Sequence, residues 1–500
     1  MKKILVANRG EIALRVMRSL KEMGIQTLAV FSEADRYSQH VRFADEAVCI
    51  GAAPSSQSYL LGEKIIEVAK KFGAEGIHPG FGFLSENAGF AKKVKEAGLI
   101  FIGPEPQAIE TMGNKLAAKQ AVQKFNVPLV PGTDTPVNDV KEAMRLCNEI
   151  GYPVLIKAAA GGGGKGMRIV ERKEDFEEQM KMAQNEARSA FGDESVFIEK
   201  YVLGPRHIEV QVLGDAHGNI VHLFERECSI QRRHQKVIEE APSSILNEEL
   251  RMKMGEAAVN VARSVNYTGA GTVEFIFDAN MNFYFLEMNT RLQVEHTVTE
   301  MITGIDLVKE QVKIARGEKI SFTQNDLKIH GHAIQLRVYA EDPQNNFLPD
   351  IGKLLVYKKP EGPGVRVDDG FEQGMDIPIY YDPMISKLVA HAATREQAMD
   401  RLIRAIDEYE VVGVKTTLPF GKFVMQHPAF RSGKFDTGFV KEHFSPEMLD
   451  AKTSDEENEL VSKLALKVWN EAAKKTSNST PAATQTTVQE SKWKRRVELR

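Results

Sequence analysis

The sequence predicts an α/β and α+β multidomain protein whose N-terminal part is a doubly wound parallel sheet. The first 110 or so residues alternate short apolar runs with helical hydrophobic periods, the pattern of βαβ units. Farther along, β runs follow one another and close into a hairpin. The chain has 500 residues, and at roughly 150 residues per domain this predicts about three domains.

Residues 4–7 read as the first strand. Ile12, Ala13, Val16, Met17 and Leu20 then share one face of a helix, which Gly24 ends. A strand over 27–31, a helix over about 59–72 and strands over 74–77 and 99–102 complete the first sheet. Its opening turn, Asn8-Arg9-Gly10-Glu11, lacks the G-x-G-x-x-G fingerprint, so the sheet alone implies no dinucleotide. The glycines of His78-Pro79-Gly80-Phe81-Gly82-Phe83 mark a tight loop, either close to a ligand or purely structural.

A helical stretch over 113–125 leads to strands over 152–157 and 167–170, joined by a glycine loop. A helix over 174–189 and β runs over 195–201, 206–213 and 219–227 follow. After a helix over 248–264, apolar runs over 272–277 and 282–286 straddle Asp278-Ala279-Asn280 as a hairpin. Beyond a helix near 304–315, residues 332–391 are β-rich and broken by Pro and Gly. A helix over 395–408 then precedes a last compact segment ending near Leu449. From Lys475 the composition shifts to Ser, Thr, Gln, Ala and Asn and ends on Lys492-Trp493-Lys494-Arg495-Arg496, read as a flexible tail.

Composition excludes several classes. Lys plus Arg number 65 against 69 Asp plus Glu, so no basic excess recommends nucleic acid or an anionic membrane as partner. Cys49, Cys147 and Cys228 lie far apart without CxxC spacing, which argues against a disulfide framework or structural zinc and for a reducing, cytoplasmic setting. Met1 to Ala7 is too short for a signal-peptide core, and no run of about 18 apolar residues predicts a membrane span.

Three segments carry chemistry. Gly161-Gly162-Gly163-Gly164-Lys165-Gly166 is followed by a strand and by neither Ser nor Thr, so it is neither a Rossmann nor a Walker loop. A glycine hairpin between two strands can instead close its backbone N–H groups over phosphates as a lid; a linker is the plainer alternative. Lys157, just before it, either snorkels or meets a phosphate.

The strongest constellation is Glu274 with Glu287-Met-Asn289-Thr-Arg291-Leu-Gln293-Val-Glu295-His296. Glu274 lies inside one apolar run and Glu287 follows another, so both are expected to be buried, where they must be paired or bind a cation. With the Asn289 amide they form a hard oxygen set suited to Mg²⁺ on a nucleotide's phosphates. Period-2 alternation is expected to keep the chain extended and to place Arg291, Gln293 and Glu295 on one face, an anion site beside a candidate base. A structural ion-pair network is the ordinary alternative.

The third segment, Glu225 to Lys236, has the composition of a solvated charged loop, and its Cys228 is read as a small packed or ligand-lining residue. Met252-Lys253-Met254 resembles the surroundings of a biotinylated lysine, but it lies within a predicted helix rather than at a hairpin tip.

In order, Ile4-Leu-Val-Ala-Asn-Arg-Gly-Glu-Ile-Ala13, His78-Pro-Gly-Phe-Gly-Phe-Leu-Ser-Glu86-Asn87, the glycine loop, Cys228-Ser-Ile-Gln-Arg-Arg-His-Gln-Lys236 and the Glu287–His296 series resemble biotin carboxylase, an ATP-grasp family, over roughly residues 1–445. The resemblance implies an N-terminal α/β domain (1–112), an ATP-grasp domain (113–330, lid about 130–203), a C-terminal α+β domain (331–449) and a helical extension with tail (450–500). It implies that Lys115, Lys157, Gly163, Gly164, Glu199, Lys200, Tyr201, Val202, His207, Gln231 and His234 hold ATP. By the same resemblance Glu274, Glu287 and Asn289 hold Mg²⁺ or Mn²⁺. Lys236, Arg291, Gln293 and Val294 would place bicarbonate, Glu295 would take its proton, and Arg337 would stabilise the biotin enolate.

Thr297, where many members carry proline, is given no role. After residue 450 there is no Met-Lys-Met hairpin or further large domain. The expected partners are therefore a separate biotin carboxyl carrier protein or domain and a carboxyltransferase subunit, with a homodimer implied by resemblance. The competing readings are another ATP-grasp carboxylate-amine ligase, in which ATP cleavage depends on an amine, and a non-catalytic nucleotide-binding module.

Overall fold

The structure, a computed structural model, describes residues 1–133, 135–158, 167–191, 194–233, 235–449, 459–460, 462–467, 469–470 and 496–498. Apolar strands such as Lys3–Val6, in which Ile4, Leu5 and Val6 are buried, suit a sheet covered on both faces. The first sheet has six parallel strands in the order Arg496–Glu498, Glu46–Gly51, Gln26–Ser32, Lys3–Val6, Gly76–His78 and Ile100–Phe101. Helices Gly10–Glu22 and Leu307–Ala315 cover one face, and Gly62–Lys71 and Ala88–Glu96 the other. This is the predicted doubly wound arrangement. The loop after Gly76–His78 leaves from the carboxyl end of a strand beside the point where strand order reverses, the usual crevice for ligands.

The second sheet is antiparallel and has eight strands: Phe283–Asn289, Gly269–Phe277, Arg206–Gly214, Ile220–Arg232, Gln235–Ala241, His332–Tyr339, Met384–Ala392 and Val365–Asp369. It runs unbroken from the central to the C-terminal part, because Ile238 pairs with Leu336 and Glu239 with Gln335. Helices Arg395–Glu408 and Leu418–Gln426 bury Leu402, Phe420 and Val424 against its C-terminal strands. A third, three-stranded sheet joins Met167–Val170, Val154–Ala158 and Val196–Lys200. It packs on helices Val140–Ile150 and Phe176–Phe191 through Cys147, Ile156 and Met180. The strands flanking the glycine loop pair as predicted, and the loop itself lies outside the described residues.

Several expectations change. The helical stretch over 113–125 is helix Lys115–Gln123, and a separate helix not read from the sequence, Pro106–Gly113, precedes it across Asn114, which adopts extended backbone. The Glu225–Lys236 run is not a solvated loop. Ile220–Arg232 and Gln235–Ala241 form a hairpin in mid-sheet, where neighbouring strands supply the counter-charges. Within the tail, Arg496–Glu498 lies beside Ala47–Cys49 and satisfies an otherwise open strand edge. Met252-Lys253-Met254 lies within helix Glu248–Ser264, as expected. No helix among the described residues is long and apolar enough to cross a membrane.

A buried ion network locks the first unit to the second sheet. Lys387, fully buried, meets Glu11 at 2.8 Å; Arg15 and Arg366 both grip Glu300, at 2.8 and 2.9 Å. Removing one member strands the other charge out of water. Lys387→Met should therefore cost about 3–5 kcal/mol in chemical denaturation, and Glu11→Leu with Lys387→Met should recover most of it.

Burial also pushes His40, His78 and His222 down to about 4. Unfolding frees these imidazoles to protonate near pH 6.5, whereas the folded chain keeps them neutral to about pH 4, so stability is lost as pH falls through that window. The unfolding midpoint should fall between about pH 7 and pH 4.5, and His40→Gln should flatten part of that slope.

Candidate active site

Antiparallel register brings distant charges onto one face of the second sheet. Glu209 sits directly between Glu274 and Arg226, and Glu274 lies opposite Glu287. Arg226 is fully buried, with Nε donating to Glu209 Oε1 at 2.6 Å and Nη1 to Gln211 Oε1 at 2.7 Å and Thr299 Oγ1 at 3.0 Å. Its Nη2 donates to Thr272 Oγ1 and Gln293 Oε1, both at 2.9 Å. A desolvated guanidinium is tolerable only when its donors are matched in this way.

The other Glu209 oxygen accepts from Lys236 Nζ at 2.5 Å, and the same ammonium reaches Glu274 Oε1 and Glu295 Oε1, each at 2.8 Å. The second oxygen of Glu295 accepts from Arg337 Nη2 at 2.9 Å, while Arg337 Nε donates to Glu239 Oε1 at 2.5 Å.

These contacts reset the titrations. Burial opposes charge at Lys236, but Glu209, Glu274 and Glu295 hold its pKa well above the ordinary lysine value. Burial raises the Glu295 carboxyl, yet Lys236, Arg337 and Arg226 outweigh it and hold the group far below the usual carboxylate range. Glu274 is likewise held low, by Lys236 and His207 against burial. Glu239 goes the other way: burial, only partly offset by Arg337, pushes it up to about 7. Burial and then Glu209 raise the Cys228 thiol well above its ordinary value, which leaves it inert as a nucleophile.

Two expectations about this region fail. The strand ends at Asn289, and the chain turns through Thr290–Val294 into helix His296–Thr303. Arg291, Gln293 and Glu295 therefore do not share one extended face. Arg291 stays near the surface, donating from Nε to Glu86 Oε2 at 2.8 Å and from Nη2 to Asn289 Oδ1 at 3.0 Å. Gln293 turns inward, where Oε1 accepts from Arg226 and Nε2 donates to Glu274 at 3.1 Å, so its side chain belongs to the scaffold. Glu287 is exposed rather than buried, because a bulge after Glu274 breaks the alternation and brings Leu286 and Glu287 both to the surface.

The remaining predicted residues are spread around this centre. His207 Nε2 lies 3.1 Å from Glu274 Oε2. Lys157 and Lys119 both bind Glu199, which they hold below its ordinary pKa against burial. Lys200 donates to the Gly151 and Tyr152 carbonyls at 2.9 Å, and Gln231 Nε2 to the Cys228 carbonyl at 2.8 Å. Val202 is buried, Tyr201 and Val294 are half-buried, and Lys115 is exposed at the start of its helix. Gly163, Gly164 and His234 lie outside the described residues.

Glu209, Arg226 and Glu239 were missed from sequence. Their signal was present: single charges inside apolar strand runs demand partners.

For a divalent cation, Glu274, Glu287 and the Asn289 amide give hard oxygen donors opposed across one strand pair, with Glu287 taking no hydrogen bond from a described residue. That chemistry fits Mg²⁺ or Mn²⁺. The tighter grouping of His207, Glu209 and Glu274 is an ion-pair cluster instead, since Arg226 and Lys236 already neutralise Glu209.

Three family models match the chain in succession. Those for "Biotin carboxylase, N-terminal domain", "Carbamoyl-phosphate synthase L chain, ATP binding domain" and "Biotin carboxylase C-terminal domain" match residues 1–109, 114–323 and 335–442. The chain is 53% identical over 465 residues to a pyruvate carboxylase subunit of Methanothermobacter thermautotrophicus, covering 92% of this chain and 94% of that one. It is 51% identical over 441 residues to biotin carboxylase 1 of Bacillus subtilis, covering 88% and 98%. Among solved structures, the biotin carboxylase domain dimer of Hydrogenobacter thermophilus 2-oxoglutarate carboxylase, in complex with MgADP, ADP and bicarbonate, superposes with a TM-score of 0.83. It shows 49% identity and covers 90% of this chain and 99% of that one.

The ion lattice has a direct test. In Lys236→Met the carboxylates of Glu274 and Glu295 lose their shared cation, so both should bind protons at a higher pH than before. Carbon-13 NMR titration of the glutamate carboxyls reads this; unchanged titration curves would contradict the assigned contacts.

Proposed function

The chain belongs to the biotin carboxylase family, and from that premise we propose how its residues divide the work of ATP- and bicarbonate-dependent carboxylation of biotin. The observation that carries the reading is the Glu295 carboxylate, with one oxygen on Lys236 and the other on Arg337. It unites a base with the two cations best placed to receive anionic substrates.

Lys115, Lys157, Gly163, Gly164, Glu199 to Val202, His207, Gln231 and His234 hold ATP. Glu274, Glu287 and Asn289 would hold Mg²⁺ or Mn²⁺, which when bound neutralises phosphate charge. Lys236, Arg291, Gln293 and Val294 place bicarbonate, with Gln293 acting through the scaffold it completes. At rest Glu295 is a weak base, because Lys236 and Arg337 stabilise its charge. Arrival of bicarbonate draws Lys236 towards the new anion, and the basicity of Glu295 rises accordingly.

Glu295 takes the bicarbonate proton as a bicarbonate oxygen attacks the γ-phosphorus and ADP leaves, giving carboxyphosphate. Its C–O bond then breaks to release CO₂ and phosphate. The phosphate trianion so released takes the N1′ proton of biotin, and N1′ takes up CO₂ while Arg337 stabilises the enolate form of the ureido oxygen. Positioning and charge neutralisation supply most of the acceleration in phosphoryl transfer. Excluding water from the site would protect the short-lived intermediate.

The carboxylated biotin is carried by a separate carrier protein or domain and passed to a carboxyltransferase; the naming of the Methanothermobacter relative as one subunit of a carboxylase supports this. A homodimer is supported by the Hydrogenobacter neighbour.

The test is ADP release dependent on both biotin and bicarbonate in the presence of Mg²⁺. Glu295→Gln should lower turnover by about 10²–10⁴-fold. Wild-type turnover in that variant would overturn the assigned base, and ATP cleavage dependent on an amine instead of biotin would favour a carboxylate-amine ligase.

A further inference from the structure

Thr297 has no assigned part in the chemistry, yet it begins a chain of buried contacts that ends at Arg337. Its hydroxyl bonds Gln335 Oε1, Gln335 Nε2 donates to Glu239 Oε2 at 2.9 Å, and Glu239 Oε1 accepts from Arg337 Nε at 2.5 Å. Thr297, Gln335 and Glu239 are all 0% exposed, so no solvent can replace a missing link. Register explains the assembly. Glu239 lies directly opposite Gln335 on the neighbouring strand, and Arg337 follows Gln335 by two residues on the same face. The adjacent Glu240 points to the other face, where Arg395 neutralises it and His332 Nε2 lies within hydrogen-bond reach.

The hydrogen bonds run in one direction. Both Glu239 oxygens accept, Oε1 from Arg337 Nε and Oε2 from the Gln335 NH₂. The amide oxygen then faces Thr297, whose hydroxyl must donate. At the far end, Glu239 fixes Arg337 through Nε and Glu295 fixes it through Nη2, which sets both the plane and the roll of the guanidinium. Nη1 keeps only a long contact of 3.5 Å to Tyr339 Oη. It is the edge with donors to spare.

We propose that Thr297, Gln335 and Glu239 form a buried positioning relay that aims the free edge of Arg337 at the biotin ureido oxygen. Glu239 and Thr297 are positioning residues here, acting through Arg337. The relay rests on the reading of Arg337 given under the proposed function.

Free-biotin carboxylation by the full chain tests it, with Thr297→Val, Thr297→Ser, Glu239→Gln and Arg337→Ala compared and melting followed for each. Thr297→Val keeps shape but removes the donor. Its kcat for biotin should fall about tenfold, with Glu239→Gln falling further. The KM for ATP should stay within about twofold in both, and Thr297→Ser should restore turnover. Wild-type turnover in Thr297→Val and Glu239→Gln, with Arg337→Ala impaired, would overturn the relay and leave the role of Arg337 standing. Wild-type turnover in Arg337→Ala would overturn that role and the relay with it. A fall in Thr297→Val that tracks a lower melting midpoint, raises KM for ATP equally and is not restored by serine would reduce the contacts to packing and overturn the relay.

Discussion

The interaction on which the rest depends is the fully buried Arg226–Glu209 pair. A guanidinium and a carboxylate inside a sheet lose their hydration, and their mutual attraction compensates only when every remaining donor and acceptor is matched. Matching them determines where Gln211, Thr272, Gln293 and Thr299 must stand. Glu209 then has one oxygen left, and that oxygen holds Lys236. From Lys236 the lattice spreads to Glu274 and Glu295, and from Glu295 to Arg337. The charges that handle substrate are thus the outer members of a cluster whose inner members never meet it.

The fold makes this lattice possible. An antiparallel sheet pairs residues directly across strands, so five adjacent strands can each contribute charges to one face in a set order. Continuity of the sheet past Gln235–Ala241 places Arg337 beside Glu295, 42 residues away in the chain. The parallel sheet contributes at the rim. Glu86, on the loop leaving strand Gly76–His78, accepts from the Thr290 backbone at 3.1 Å and from Arg291, and so steadies the turn that follows the candidate metal ligands.

The elements with clear periodicity were legible from sequence. Helices Glu248–Ser264 and Arg395–Glu408 and strand Met167–Val170 coincide with their predicted bounds, because their patterns are long or sharply bracketed by turns. The motif residues that meet around Lys236 were legible as well. What escaped depended on tertiary context. The charge-rich Glu225–Lys236 run resembles a solvated loop until neighbouring strands supply its partners. Thr290–Glu295 alternates like a strand but has no further strand to pair with, so it turns and sends Gln293 inward and Arg291 outward. The exposure of Glu287 follows from a bulge that residue pattern alone does not encode. Thr297 carries no local signal at all; its part emerges only when Gln335 and Glu239 are seen in register.

In the proposed mechanism bicarbonate, held at this lattice and deprotonated by Glu295, is the nucleophile towards the γ-phosphate of ATP. The most direct measurement is the fate of heavy-oxygen-labelled bicarbonate. If a bicarbonate oxygen attacks phosphorus and the C–O bond of carboxyphosphate then breaks, each phosphate released during biotin carboxylation carries a bicarbonate-derived oxygen. Unlabelled phosphate, formed at the same rate as carboxybiotin, would mean that water attacks instead and would contradict that mechanism.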